Sequence, residues 1–79
     1  MALAKSEREW AKRAARYLKV ELKRADLTYE ELAERLKNYG FAETRASISN
    51  KLARATLPAS FFLACLAALE LDRLRLEEI

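Results

Sequence analysis

Only one glycine and one proline, Gly40 and Pro58, are available for turns in the 79 residues of this chain. Strands joined by tight hairpins need these residue types at many of their turns. The composition is instead rich in Ala, Leu, Glu, Lys and Arg, which are strong helix formers. The sequence therefore predicts an all-α fold, and its length predicts a single small domain over residues 1–79.

Capping signals and helical periodicity predict four helices. Ser6 is a suitable N-cap for the first helix, and Thr28 and Glu31 have the spacing of a capping box for the second. Thr44 can cap the third helix, with Ser47 at its N3 position. Gly40 is expected to end the second helix in the left-handed conformation, and Pro58 to lie in the first turn of the fourth. The expected boundaries are residues 6–25, 28–39, 44–54 and 58–70.

The apolar positions of these helices predict a common core. Helix four is apolar over most of its circumference, so it is either the central helix or partly covered by a second subunit. The tail, residues 71–79, fits either a short helix or a strand, and a strand would need a partner such as the same segment of a second copy. The expected core positions are Ala11, Ala14, Leu18, Leu22 and Ala25, then Leu32, Ala33 and Leu36, and then Ile48 and Leu52. On helix four, Phe62, Cys65, Leu66 and Leu69 share one side of the helical wheel, and Phe61, Ala64 and Ala68 lie on another.

Positive charge is concentrated in the first helix. Residues 1–25 carry eight basic and three acidic side chains, whereas the whole chain has a net charge of +3. Six of these cations fall within an arc about 80° wide on a helical wheel. This arc is either an ordinary solvated surface or a surface that faces phosphates. Its members are Lys5, Arg8, Lys12, Arg16, Lys19 and Lys23.

The residue types that most enzymes and metal sites depend on are scarce. Histidine is absent, and Cys65 is the only cysteine, so the sequence predicts neither a disulfide within the chain nor a metal site. Cys65 lies in an apolar run without a neighbouring base, which is typical of an inert thiol. We therefore expect no enzymatic activity, no cofactor and no small-molecule substrate. The lone thiol, the lack of a signal peptide and the absence of a long apolar run predict a cytoplasmic protein with no membrane association.

Residues 27–36, LTYEELAERL, resemble the second helix of phage-repressor-like helix-turn-helix proteins of the Cro type. Residues 48–54 resemble the recognition helix of that family, and residues 57–71 its following helix. This sequence departs from the repressor pattern at two places that affect how the helices are arranged. Residues 38–43 form a longer connection than the tight turn of a repressor, and Ala55 stands where a glycine usually follows the arginine, so a different exit from the third helix is expected.

A closer resemblance, from about Trp10 to Leu76, is to a family of short bacterial proteins classed as a domain of unknown function. Those chains share an early Trp and a basic first helix with this sequence. Because the function of that family is not defined, the resemblance implies a fold rather than an activity. The matching positions are Tyr29, Glu31, Leu32, Ala33, Gly40, Thr44, Ile48, Asn50, Lys51, Arg54 and residues 61–66.

These observations lead to the expectation of a DNA-binding protein, a small transcriptional regulator or a nucleoid-associated factor, whose third helix enters the major groove. By resemblance, the base-reading candidates are Thr44, Arg45, Ser47 and Ser49. The phosphate-binding candidates are Asn50, Lys51 and Arg54, Thr28 and Tyr29 at the start of helix two, and Arg8, Lys12, Arg16 and Lys19. A homodimer through helix four or the tail is expected, because one such module makes few contacts.

Three alternatives stay open. The same residues can form a plain polar surface, or the chain can be a protein–protein interaction module that uses the apolar fourth helix and the Leu-rich tail. Binding of single-stranded RNA fits less well, because readers of single strands stack bases on exposed aromatic rings. Here we expect most rings to be buried, namely Trp10, Phe41, Phe61 and Phe62.

Overall fold

The computed structural model describes residues 3–79 of the chain, which contain four α-helices and two short 3₁₀ turns. The predicted all-α class is confirmed, since these residues contain no strand. The radius of gyration, 12.1 Å, is close to the roughly 11.6 Å expected of a compact chain of this length. The elements are α1 (Glu7–Arg24), α2 (Tyr29–Leu36), a first 3₁₀ turn (Lys37–Tyr39), α3 (Arg45–Arg54), α4 (Ala59–Ala68) and a second 3₁₀ turn (Leu76–Glu78).

Side chains cap the first three helices as the sequence predicts. Ser6 accepts a hydrogen bond from the Glu9 backbone N–H at 3.1 Å, so α1 begins one residue later. Thr28 forms the predicted capping box, in which its own N–H donates to the Glu31 carboxylate at 2.9 Å. Thr44 caps α3 in the same way. The position of Pro58 differs from the prediction. It is the N-cap residue and does not lie in the first turn, and α4 begins at Ala59 without a side-chain cap.

All four helices end in the same geometry. A residue with a positive φ follows each helix, one or two positions after its end or, for α2, directly after the 3₁₀ turn. The next residue donates its N–H to a carbonyl five positions earlier, as in the Schellman motif. The left-handed residues are Asp26, Gly40, Ala55 and Glu70.

Gly40 confirms its predicted role, although α2 first tightens into the 3₁₀ turn Lys37–Tyr39. At the end of α3, Ala55 adopts a φ of 55°. The exit from α3 therefore follows the pattern of the other helices of this chain, with an alanine in a conformation that favours glycine.

The core takes side chains from every helix. Phe61 is the largest fully buried side chain, and Phe41 packs edge-on against it with ring centroids 6.2 Å apart. Two expectations for α1 are wrong: Ala25 is exposed because it lies at the C-cap, and Trp10 is 36% exposed. The buried cluster is Ala15, Leu18, Leu22, Leu32, Ala33, Leu36, Ile48, Leu52, Phe61, Cys65, Ala68 and Leu69.

Helix α4 buries one side and leaves the other open. Phe61, Cys65 and Ala68 are buried, whereas Phe62 and Leu66 are only half-buried and Leu63 is 64% exposed. The expectation that the helix is buried over most of its circumference is therefore only partly met, and Phe62 is half-buried where its ring was expected to be buried.

The tail lies across α1. Of the two predicted alternatives, the strand is wrong for residues 71–79, which end in the 3₁₀ turn Leu76–Glu78. A single extended segment in a helical domain has no sheet edge with which to exchange hydrogen bonds. Ile79 is buried instead, and it lines a cleft of about 350 Å³ together with Tyr17 and Val20 of α1.

Candidate functional site

The outward side of α3 is open to solvent and carries small side chains between two arginines. Ile48 and Leu52 bury the opposite side of the helix. Arg45 and Arg54 lie at the two ends of α3, and neither makes an ion pair within residues 3–79. Such a surface lets another molecule approach the helix backbone closely while offering charge at its ends. The exposed residues are Arg45, Ala46, Ser49, Asn50, Ala53 and Arg54.

The two candidates at the start of α3 have structural roles. Thr44 accepts a hydrogen bond from the Ser47 N–H at 3.1 Å, and the Ser47 hydroxyl accepts one from the Thr44 N–H at 2.8 Å. The Ser47 hydroxyl in turn donates to Oε1 of Glu43 at 2.6 Å. These contacts hold the first turn of the helix and leave Ser47 half-buried.

The two candidates at the start of α2 are engaged as well. The Thr28 hydroxyl accepts a hydrogen bond from the Glu31 N–H at 3.1 Å, and Tyr29 packs partly buried against the core. The Glu31 carboxylate accepts the N–H of Thr28, and the hydrogen bonds at Thr28 hold the pKa of Glu31 below its usual value. Glu30 and Glu31 therefore place two carboxylates at this helix end, where a phosphate would otherwise be favoured.

Lys51, a predicted phosphate contact, is turned inward. Its Nζ lies 2.5 Å from Oε2 of Glu43 and 4.8 Å from the centroid of the Phe61 ring. The side chain of Lys51 is 29% exposed and that of Glu43 only 10%. Burial raises the pKa of Glu43. The hydrogen bonds from Lys51 and Ser47 and the positive charge of Lys51 together lower it by more, so the net effect is a lowered pKa. This cluster joins α3 to the preceding loop and to α4.

A basic cleft lies between α1 and the carboxyl end of α3. Arg8 and Lys12 of α1 line it together with Arg54 and Thr56, and its volume is about 320 Å³. The remaining wall consists of alanine methyl groups and a single carboxylate, Glu7. We call this site the basic cleft. The structure thus brings two of the predicted phosphate contacts on α1 next to Arg54 of α3, a proximity that sequence spacing could not reveal.

The basic side of α1 continues beyond this cleft. Arg16, Lys19 and Lys23 follow Lys12 along the helix, and all three are exposed. From Arg8 to Lys23 the helix rises about 22 Å. Lys5, the remaining member of the predicted arc, precedes α1 and donates its backbone N–H to Glu9 at 3.2 Å.

A groove of opposite charge lies at the amino end of α3. Four carboxylates line it, and Lys37 and Arg45 lie in the same groove of about 390 Å³. The carboxylates are those of Glu30, Glu31 and Glu34 of α2 and of Glu43. We call this site the acidic groove. Arg45 therefore shares its groove with more carboxylates than cations, whereas Arg54 lies beside two cations and one carboxylate. An anion that approaches α3 is attracted at its carboxyl end and repelled at the flank of its amino end.

The remaining features of residues 3–79 concern a buried thiol, the acidic side chains and the apolarity of the helices. Cys65 is fully buried, and burial raises the pKa of its thiol to about 12. No group of three or more acidic or cysteine side chains in this part of the chain could hold a metal ion. By themselves, none of the described helices is long and apolar enough to cross a membrane; only α3 and α4 taken together, bent by 119°, reach the required length and composition.

Comparison with known proteins gives one result. No curated protein and no solved structure matches the chain significantly. One family model matches residues 10–74, most of the chain from Trp10 to Leu74, and its description is a domain of unknown function (DUF6471). This agrees with the closer of the two resemblances found in the sequence. The chain belongs to the DUF6471 family of domains of unknown function.

Proposed function

We propose that this protein binds duplex DNA, with the outward side of α3 in the major groove and the basic cleft on the phosphate backbone. The observation that carries the proposal is the cleft itself, where Arg8, Lys12 and Arg54 from two helices adjoin the open side of α3. The major groove is about 12 Å wide and admits one α-helix. Arginine and lysine near its rim supply most of the affinity by neutralising phosphates.

In this proposal α2 and α3 act as a helix-turn-helix unit, in keeping with the resemblance of residues 27–36 to phage repressors. The pose differs from that of a repressor. The start of α2 carries Glu30 and Glu31 and the acidic groove lies beside it, so the phosphates are held from the α1 side. Thr28, Tyr29, Thr44 and Ser47 then support the helices rather than contact DNA.

The biological role that fits is a small transcriptional regulator or a nucleoid-associated factor. A single α3 covers few base pairs, so tight binding calls for two copies of the chain on half-sites about 34 Å apart. The open side of α4, with Leu63 64% exposed, is the surface on which we place that self-association.

The test is a salt titration of DNA binding. Fluorescence anisotropy of a labelled random-sequence duplex is measured between low and moderate salt for the wild type and for the triple variant Arg8→Ala, Lys12→Ala, Arg54→Ala. We expect tight binding at low salt for the wild type and a loss of about 3 in the slope of log affinity against log salt for the variant.

The matched control removes the same number of positive charges elsewhere, with Lys37→Ala, Arg73→Ala and Arg75→Ala, three exposed cations outside the basic cleft. This control should keep the wild-type slope. Absence of wild-type binding at low salt, or equal losses in the two triple variants, would refute the proposal.

A protein–protein interaction module is the second candidate. The open side of α4 favours it, because residues 59–69 contain no charged side chain and Leu63 and Leu76 are 64% and 54% exposed. Single changes Leu63→Lys and Leu76→Lys separate the two functions. If the protein binds DNA, these two changes leave the salt slope of DNA binding per bound chain unchanged. If it is an interaction module, they abolish binding of the protein partner, whereas Arg54→Ala does not.

A further inference from the structure

Asn50 is the one carboxamide on the outward side of α3. It is exposed, and within residues 3–79 its side chain makes no hydrogen bond to another group. Its neighbours on the helix surface are Ala46, one turn earlier, Ala53, three residues later, and Arg54, four residues later. Because the two alanine side chains are short, the Asn50 amide projects past them and both its oxygen and its NH₂ group stay accessible.

A carboxamide matches only one purine in the major groove. Adenine presents a ring-nitrogen acceptor and an amino donor there, so one Asn side chain can donate to the first and accept from the second. Guanine presents two acceptors, which pair with arginine or lysine instead. The methyl group of thymine is contacted by apolar groups such as the alanine side chain.

The cations of α3 lie in sites other than the centre of its outward side. Arg45, five residues before Asn50, lies in the acidic groove, and Arg54, one turn after Asn50, lies in the basic cleft, where the proposed function assigns it to phosphates. Lys51 follows Asn50 directly, but it is paired with Glu43 and lies over the Phe61 ring. The centre of the outward side therefore offers an amide, a hydroxyl and two methyl groups, and no charge.

We infer that Asn50 is a specificity-determining residue that reads adenine, and that this protein prefers sites with A·T base pairs at the centre of α3. This inference rests on the proposed DNA binding, and it changes the role of Asn50 from a phosphate contact to a base contact. A good bidentate pair discriminates against the wrong base by a factor of roughly 5 to 150.

The experiment compares duplexes of equal length and charge by anisotropy at one salt concentration. The first has A·T pairs in its central ten positions, the second has G·C pairs there, and the third repeats the first with 7-deazaadenine, which lacks the ring-nitrogen acceptor. Wild type, Asn50→Ala and Asn50→Gln are measured on all three, and circular dichroism checks that each variant is folded.

We expect the wild type to bind the A·T duplex roughly 5- to 150-fold more tightly than the other two. Asn50→Ala should bind all three equally, at about the wild-type affinity for the G·C duplex, and Asn50→Gln should keep part of the preference. Equal binding of all three duplexes by the wild type overturns the inference but leaves the proposed function intact. An A·T preference that survives in Asn50→Ala overturns it as well, since a narrow minor groove would then explain the preference. Failure to bind any duplex refutes both.

Discussion

The two ends of α3 are built from similar residues but have opposite surroundings. At the carboxyl end, Arg54 borders Arg8 and Lys12 of α1, and at the amino end Arg45 borders Glu30 and Glu34 of α2. The two arginines are indistinguishable in local sequence, since each is an exposed cation at a helix end. Which of them can hold an anion is decided by the helix packed beside it.

The second difference lies in how firmly each end is held. At the amino end, Thr44, Ser47, Glu43 and Lys51 form a continuous set of hydrogen bonds that ties the first turns of α3 to the preceding loop. At the carboxyl end, Ala55 takes a left-handed conformation in which a Cβ is unfavourable. The amino end of α3 is thus held in place by side-chain hydrogen bonds, whereas the carboxyl end, next to the basic cleft, is accessible.

The largest effect is expected when the charges of the two ends are exchanged. The variant Arg8→Glu, Arg54→Glu, Glu30→Arg, Glu34→Arg keeps the net charge of +3. Since two phosphate contacts are lost, we expect DNA affinity at low salt to fall on the order of 100-fold. Anisotropy measures it, with circular dichroism as the check on folding. Wild-type affinity in this variant would show that net charge alone matters and that the two ends are equivalent.

Removal of Glu43 should have the largest effect on stability. Glu43→Ala leaves Lys51 without its carboxylate in a partly buried position and takes an acceptor from Ser47, so the free energy of unfolding should fall by about 2 kcal/mol. Urea denaturation measures it. The control is Glu34→Ala, because Glu34 pairs with Lys37 at the surface and such pairs contribute about 0–1 kcal/mol. Equal losses in the two variants would contradict the proposed anchoring of the amino end.

The same carboxylate should make the protein sensitive to acid. The pKa of Glu43 is lowered in the folded state, so its stabilisation is present above the usual value of 4.5 and is lost as the pH falls through the lower folded pKa. Denaturation curves from pH 7 to pH 3 should fall less steeply for Glu43→Gln than for the wild type. Part of the acid dependence should remain, because the pKa of Glu31 is lowered too. An unchanged curve would contradict the role assigned to the pair with Lys51.

The smallest effects are expected at the two turns that flank α3. Ala55→Gly removes a Cβ from a left-handed residue and should raise the free energy of unfolding by about 0.5–1 kcal/mol. Gly40→Ala should lower it by about 1 kcal/mol. An added Cβ at Gly40 would meet no atom within 4 Å, so this cost is conformational and not steric. Thermal or urea denaturation of both variants gives the comparison, and a stabilising Gly40→Ala would contradict it.

Local signals in the sequence predicted much of the fold. The caps at Ser6, Thr28 and Thr44 and the left-handed Gly40 were predictable because each depends on residues within one or two turns. The all-α class followed from the scarcity of turn residues. The wrong expectations concern the margins of the apolar stripe. Ala25 continues the apolar stripe of α1 and Trp10 flanks it, but both residues are exposed.

The candidate site was only partly predictable. Arg45 and Arg54 were both identified as exposed cations of the third helix, yet nothing in the sequence distinguishes the groove beside one from the cleft beside the other. Lys51 was predicted to contact phosphate, because the sequence does not show that its side chain pairs with Glu43. Glu43 lies eight residues earlier, before the start of the helix. A helical wheel contains no information about a side chain in the preceding loop.

The sequence by itself determined the helices, their caps, the main core positions and the family to which the chain belongs. These features depend on backbone propensities and on hydrogen bonds between residues three or four positions apart. The tertiary structure decided which helices lie on either side of α3, and with them the positive and negative surroundings of its two ends. Electrostatic interactions act through space between elements distant in the chain, and so their pattern is set only when the helices have packed.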